Sequence, residues 1–487
     1  MIRCQSSSHP PPRILLASSS PRRGLLAEAT PPDVDRGGSA GYKNGLNAPT
    51  TSAPPTSELP RRLSLFDSIC IVIGTTIGVG VFIVPGSIAR DLPSPWLILA
   101  TWVITGVISF FGALAYGELG AMMPDSGGQY VYLREAYGPL TAFVAGWVAF
   151  LITQSGSIAA VSVGFGIYLS YLLPHVSGVT YWAPVGLIVL FTFINYRGVR
   201  SGARTQNVFT GLKVVGLAVL IGSAFVHSAP AVRMADMAPA PFTVHGLVLA
   251  MLGCFLAYDG WQYIAFVAGE VREPKRYIPL ALTIGTGAVI LLYLLANVAY
   301  MRVLPLSQIA ATEHVAATFA EQTMGPIGAT IIALTIMLSS AGAANGAILT
   351  SPRIYFAQAR DGLFFRKLQE IHPRFRTPAF SILVQGIWTS LLTLSGSYET
   401  LFSYALFAMW LFHGMTVFGV IVLRRKYPER PRPYRMWGYP LSPLLFALFA
   451  LWFVVNTFVS RPGPSLAGAL IIASAVPIYY VWKRMPR

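Results

Sequence analysis

Charge is what this sequence has least of. Asp, Glu, Lys and Arg together make up 11% of it, against about 25% in a typical soluble domain. That scarcity, with a mean hydropathy of +0.59, excludes a soluble globular enzyme and points to a membrane protein. Cysteine is nearly absent too. Cys4 lies in a polar tail, and Cys70 and Cys254 lie inside apolar runs, so no disulfide framework is implied. No Cys–His cluster has the spacing of a metal site. Residues 1–60 lack helical periodicity and are rich in Pro, Ser, Gly and Thr, the composition of a disordered tail. The tail also lacks an apolar core long enough for a signal peptide; Ile14-Leu15-Leu16-Ala17 is too short.

What is present is a succession of long apolar runs. Twelve of spanning length follow Leu65, near 66–89, 95–121, 139–173, 179–195, 207–227, 244–268, 279–301, 324–349, 379–395, 399–423, 441–460 and 465–483. The expected fold is an all-α, multi-pass membrane protein with 12 transmembrane helices. The net charge of +16 is concentrated in short loops between runs, which makes it a topology signal rather than a sign of nucleic-acid binding. Alternate loops carry groups such as Arg197, Arg200 and Arg204, Arg272, Lys275 and Arg276, and Arg424, Arg425 and Lys426. The opposite side carries only Arg90, Arg233, Arg302 and Arg461. By the positive-inside rule both termini are cytoplasmic.

Two runs are interrupted. The first contains Gly74-Thr-Thr-Ile-Gly-Val-Gly-Val-Phe82 near its centre. Glycines so close together weaken a helix, and unwound backbone at membrane depth is tolerated only where it is buried in protein or lines a cavity. Its free N–H groups, with the dipole of the half-helix that follows, suit a carboxylate. A plainer account is a small-residue packing face, since Gly74 and Gly78 fit GxxxG. The sixth run supplies a counterpart, Cys254-Phe-Leu-Ala-Tyr-Asp-Gly-Trp-Gln-Tyr263. Interrupted helices at matching positions of two halves are the best sequence pointer to a transporter site. Runs one and six open two five-helix blocks, about 66–228 and 244–423, and an odd number of spans per block inverts one block relative to the other. Runs eleven and twelve, 441–483, are then additional; the permease domain as a whole is 61–485.

Asp259 is the sharpest single residue, because an acid near the bilayer centre is expensive and functional by default. It suits a substrate ammonium, a proton or a cation; alternatively it only stabilises the loosened backbone. Lys213 lies in the fifth run, in Thr210-Gly-Leu-Lys-Val-Val-Gly216, close after the cytoplasmic loop. It either snorkels to a nearby helix end or acts as a fixed cation bridging helices where a sodium ion would otherwise sit. Ser339 and Ser340 make one side of run eight small and polar, suited to close packing or to lining a site. Trp261 follows the second break and stands out among the aromatics. Glu118 is placed to pair with a loop arginine. No His, Ser and acid constellation at one depth suggests an enzyme.

These residues resemble the amino acid–polyamine–organocation superfamily, and within it the L-type amino acid transporter branch. The resemblance runs from Leu65 to Lys483. It rests on the two interrupted motifs, on Tyr116-Gly-Glu-Leu-Gly120 with Pro124-Asp-Ser-Gly-Gly-Gln-Tyr130, on Glu270-Val-Arg-Glu-Pro274, on Asn345-Gly-Ala-Ile-Leu-Thr-Ser-Pro-Arg353, and on His372-Pro373 followed by Thr377-Pro378. It implies a LeuT-like fold of two inverted five-helix repeats plus two C-terminal helices. It also implies a substrate site: Thr76, Ile77, Gly78, Val79 and Gly80 from one break, and Cys254, Leu256, Ala257, Asp259 and Gln262 from the other. The amino acid carboxylate meets the N–H groups of Val79 and Gly80, and its ammonium meets carbonyls near Thr76, Leu256 and Asp259. Lys213 matches a lysine that fills the second sodium site in sodium-independent members. Lys213, Ser339, Ser340 and Trp261 are thus the coupling and gating candidates.

Three positions depart from the family pattern. Val79 stands where many members carry Ser. Leu256 stands where a bulky aromatic gate is common, which passes gating to Phe255 or Trp261. Asp259 replaces a small residue of animal members and leaves room for cationic or small polar substrates. The loop Pro174–Tyr181 lacks the cysteine that bonds a heavy-chain glycoprotein in animal members. The expectation is therefore a sodium-independent secondary transporter of the inner or plasma membrane, working by alternating access as an exchanger or by facilitated or proton-coupled uptake, with neutral amino acids favoured. Its partners are a small amino acid and the lipid bilayer, without nucleic acid, cofactor, metal or disulfide-linked subunit. The alternatives are a polyamine or cationic amino acid carrier, or a non-transporting amino acid sensor. A separate short stretch, Arg13–Leu26, resembles the opening of Maf-type nucleotide pyrophosphatases; the rest of that domain is missing, so no activity is assigned to it.

Overall fold

A capping box starts the first helix. The Ser64 hydroxyl accepts from the Asp67 N–H at 3.2 Å, and the Asp67 carboxylate accepts from the Ser64 N–H at 2.8 Å. Two orphan donors are satisfied where α1 (Leu65–Thr76) begins. Ser64→Ala is expected to cost about 1 kcal/mol, read as a lower thermal midpoint in detergent; an unchanged midpoint would show that the cap contributes nothing.

The computed structural model describes residues 58–92, 94–226, 242–395 and 398–484. The polar tail, the Maf-like stretch, Cys4 and Arg233 lie outside the described residues. The helices are α2 (Gly80–Asp91), α3 (Pro95–Met122), α4 (Gln129–Tyr137), α5 (Pro139–Val148), α6 (Gln154–Leu172), α7 (Val179–Tyr196), α8 (Val199–Val226), α9 (Val244–Tyr258), α10 (Tyr263–Phe266), α11 (Pro274–Val303), α12 (Leu306–Ala311), α13 (Val315–Met324), α14 (Pro326–Thr350), α15 (Pro352–Arg360), α16 (Ala379–Leu394), α17 (Tyr398–Lys426), α18 (Leu441–Ser460) and α19 (Pro462–Arg484). Proline opens α3, α5, α11, α14 and α15, where its missing N–H has no intrahelical acceptor to lose. A single π-turn, Ala149–Thr153, joins α5 to α6. Among the described residues there is no β-sheet; one isolated parallel bridge links Leu63 to Val271.

Among the described residues, ten helical segments are long and apolar enough to cross a membrane. Two shorter apolar helices, Val244–Tyr258 and Ala379–Leu394, fall below that length. The sixth run does not continue to 268 as a helix; it stops at Tyr258 because Asp259 turns extended and Gly260 takes φ +128°. The fifth run starts earlier than its apolar stretch, since the polar first turns with Arg200 and Arg204 are helical.

Helix α14 packs between α6 and α8, α3 lies along α11, and α1 lies against α8 and α11. The interior faces form two apolar clusters, one around α3, α5 and α17 and one around α2, α9 and α13. Outward faces stay apolar as well: Trp182, Val208, Leu448 and Leu470 are exposed. That belt is the surface lipid solvates, while the helices satisfy their own backbone.

At the end where α1 begins, charged groups close the bundle. Arg62 and Leu63 donate to the Glu270 carbonyl, and Arg272 donates back to Leu63. The fully buried Glu270 side chain takes the Arg353 Nε at 2.6 Å. Glu118 is held by Arg424 at 2.8 and 2.6 Å and accepts from the Met436 N–H at 2.8 Å. The pairing of Glu118 with arginine is therefore present; Arg424 is the last-turn residue of α17 rather than a loop residue, and Arg432 of the following loop lies 3.7 Å away. Arg134 pairs with Asp361 at 2.6 Å. Burial, with the Asp361 carboxylate alongside, pushes the Tyr130 phenol above its ordinary range.

Candidate functional site

The two interruptions meet. Helix α1 ends at Thr76, Ile77 is extended, and α2 restarts at Gly80. Helix α9 ends at Tyr258, and the chain passes through Asp259–Gln262 before α10. A Cβ on Gly80 would lie 2.8 Å from the Ala257 Cα, so only glycine allows this approach. The Thr75 hydroxyl lies 2.6 Å from the Ile71 carbonyl and 2.8 Å from that of Gly260, and its proton serves either. Tyr293 of α11 reaches both breaks, with its hydroxyl 3.1 Å from the Thr76 carbonyl and 3.0 Å from the Ala257 carbonyl. Gly80→Ala is expected to cost about 1–3 kcal/mol through overpacking. Gly78→Ala, whose Cβ would meet nothing within 4 Å, should stay within about 0.5 kcal/mol. Thermal midpoints of the two variants compare them, and equal shifts would remove the close approach as the reason for glycine.

The breaks border a cavity of about 290 Å³, at the small end of ligand pockets. From the first break and α2 it is lined by Thr75, Thr76, Gly78, Val79, Gly80, Ile83 and Val84. The second break contributes Leu256, Ala257, Asp259 and Tyr263, and α6 contributes Ser157, Ala160 and Val161. Ala343 and Ala347 of α14 and Met409 of α17 complete it. The wall is mostly apolar, and the Asp259 carboxylate is its one acidic group. Thr76 returns its hydroxyl to Val72 at 2.8 Å and Ser157 to Thr153 at 2.7 Å. Among the described residues no carbonyl accepts from the N–H groups of Val79 and Gly80. These are orphan donors of a helix start, with the positive end of the α2 dipole behind them.

Lys213 of α8 is wholly buried. Its ammonium donates to the carbonyls of Gly74 at 2.7 Å, Ile77 at 2.7 Å and Ser339 at 2.9 Å. All three N–H bonds are thus spent inside the bundle, two of them on the broken end of α1, so the side chain does not snorkel. The Ser339 hydroxyl lies 2.9 Å from the carbonyls of both Ile77 and Gly78. One cation and one hydroxyl therefore occupy the carbonyls that unwinding frees.

Several expected residues stand elsewhere. Cys254 is buried in the apolar cluster of α2 and α9 and does not line the cavity. Gln262 does not line the cavity either: its side chain bridges the break, accepting from the Gly260 N–H at 3.1 Å and donating to Asp259 at 3.2 Å. Ile77 contributes its carbonyl, while its side chain is buried. Ser340 bonds within its own helix, to Ile336 at 2.9 Å. Trp261 lies outside the cavity wall, packed on Tyr116 and His413. Phe255 is buried among Trp410, Phe449 and Phe453 and does not line the cavity. Sequence reasoning missed Tyr293, Tyr263, Met409 and His413. His413 carried a readable signal, an ionisable group within an apolar run; the others look like ordinary span residues.

Known proteins are similar to this chain in sequence over most of its length. The profile of the amino acid permease family matches residues 63–482. The human b(0,+)-type amino acid transporter 1 is 32% identical over 439 residues, covering 88% of this chain and 89% of that protein. The human cystine/glutamate transporter is 33% identical over 450 residues, covering 89% of each. The human large neutral amino acids transporter small subunit 2 is 33% identical over 443 residues, covering 88% and 82%. With a broken-helix site, an apolar membrane belt and this likeness along its length, the chain belongs to the amino acid permease family, a family of membrane transporters rather than enzymes.

Proposed function

We propose that the protein is a secondary transporter that moves amino acids by alternating access, without sodium, as an exchanger or by facilitated or proton-coupled uptake. The observation that carries this reading is the Lys213 ammonium on the carbonyls of Gly74, Ile77 and Ser339. A monovalent cation would need the same oxygens, and the ammonium, with its three donors on them, takes that place. The substrate carboxylate docks on the N–H groups of Val79 and Gly80, and its ammonium on carbonyls near Thr76, Leu256 and Asp259. Both ends are then read by backbone, and the cavity's apolar wall of Ile83, Val84, Val161 and Met409 favours neutral side chains. A cationic amino acid or polyamine is the second reading, favoured by the Asp259 carboxylate in that wall.

The two shorter apolar helices complete twelve spans when joined to the ten longer ones. Repeats of about 66–228 and 244–423 are inverted relative to each other, 441–483 is additional, and both termini are cytoplasmic in the inner or plasma membrane. The clustering of Arg134, Arg353, Arg424 and Arg432 at the end where α1 begins supports that orientation. No disulfide-linked heavy chain is required. The test is counterflow in proteoliposomes of the purified protein, loaded with unlabelled and offered labelled L-alanine, L-leucine, L-arginine or putrescine. Exchange of alanine or leucine is the expected result. Exchange of putrescine alone favours the second reading, and binding without exchange of any compound would overturn transport in favour of a sensor.

A further inference from the structure

Asp259 and His413 meet at the edge of the cavity. Asp259 lines it from the second break. His413 comes from α17, is 2% exposed, and sets its Nδ1 4.0 Å from the Asp259 Oδ1. That nitrogen has no hydrogen-bond partner among the described residues. A buried polar atom left so is unfavourable, and a closure of roughly 1 Å would bring it within bonding distance of the carboxylate. Tyr116, Trp261 and Trp410 hold the ring in an aromatic cage, with centroids at 6.4, 5.9 and 6.0 Å. Among the described residues no lysine or arginine pairs with Asp259; its charge has His413 as its titratable counterpart.

The other groups that face the pair carry no charge. Tyr116 approaches the His413 ring from α3, and Tyr263 lines the cavity from α10. Gln262 holds Asp259 from its own segment. Helix α18 presents Phe446 to Trp261 and Trp410, α6 presents Ser157, α1 presents Thr75, and α14 presents Ala343 and Ala347.

We propose that Asp259 and His413 together bind one proton, shared between Oδ1 and Nδ1, and that this proton crosses the membrane with a neutral amino acid. The inference rests on the transport reading above. The unloaded pair is a carboxylate beside a neutral imidazole, net −1. The proton arrives from the aqueous face to which the cavity is open, and the pair becomes net 0. It leaves to the opposite face after the breaks rearrange, and no other bond is made or broken. The reason for coupling is electrostatic: occluding a neutral amino acid against an uncompensated buried carboxylate is costly, and the proton removes that cost. His413 gives the proton a second seat, which the carboxylate alone lacks.

The test uses the full chain in proteoliposomes with the membrane potential clamped at zero. Labelled L-alanine and L-leucine are offered to empty vesicles under an inward proton gradient of one pH unit, with a pH-sensitive dye inside. The expected result is accumulation of up to about tenfold, the ratio one pH unit sustains for one proton per substrate, and acidification on adding substrate. His413→Asn, which keeps a polar group without a titrating ring, should lose both signals. Accumulation that persists in His413→Asn would overturn the assignment. So would a wild-type protein that exchanges alanine in counterflow yet shows neither accumulation nor acidification, and this arm needs no variant to fold. Absence of counterflow in the wild type is a different failure, that of the transport reading itself.

Discussion

Replacing Lys213 with alanine is expected to lower uptake at least about a hundredfold. The ammonium makes three charge-assisted bonds, to Gly74, Ile77 and Ser339, each worth about 1.5–3 kcal/mol. Its removal takes a donor from three carbonyls at membrane depth, where no water replaces it; of the three, that of Ile77 keeps a share of the Ser339 hydroxyl. Two of these carbonyls belong to α1 and its break, the backbone that orients the donors of Val79 and Gly80. Losing even ~3 kcal/mol of that alignment is about a hundredfold in an equilibrium. Initial rates per reconstituted molecule measure it. Lys213→Met, which keeps the apolar stem, should be as impaired, because the charge and not the packing is what the carbonyls need. A methionine variant with near wild-type rates would reduce Lys213 to a space-filling role.

The largest effect on stability is expected from Arg353→Ala. Arg353 and Glu270 are both fully buried and joined at 2.6 Å. Removing one partner of a buried pair costs about 3–5 kcal/mol, because the remaining charge is stranded. Glu270 also carries, through its carbonyl, the bonds from Arg62 and Leu63 that fix the segment before α1. Arg353→Ala should therefore lower the thermal midpoint in detergent markedly, and Arg353→Met with Glu270→Leu should recover most of the loss, since replacing both charges by apolar groups is often neutral. If the double variant is as unstable as the single one, the stranded charge is not the cause.

Much of this was legible in the sequence because lipid imposes a simple rule: apolar runs of fixed length become helices. The runs 95–121 and 441–460 became Pro95–Met122 and Leu441–Ser460. The interruptions were legible because glycine and an acid are costly at mid-membrane. What stayed hidden was partnership. Arg353 reads as one more positive loop residue, yet it is a buried counter-ion whose partner lies 83 residues away. Cys254 and Gln262 lie in the right motif, but Cys254 packs into the apolar cluster of α2 and α9 and Gln262 is spent bridging the break. Tyr293 crosses both breaks from a helix that carries no motif at all. His413 shows the same limit, since its neighbour Asp259 is brought to it only by the fold.

The central claim is that the ammonium of Lys213 takes the place of a sodium ion. The most direct measurement is the initial rate of labelled L-alanine or L-leucine counterflow into proteoliposomes of the wild-type protein, in sodium chloride and in choline chloride at equal ionic strength. Equal rates in the two salts are the predicted result. A rate that requires sodium and saturates with it would contradict the claim.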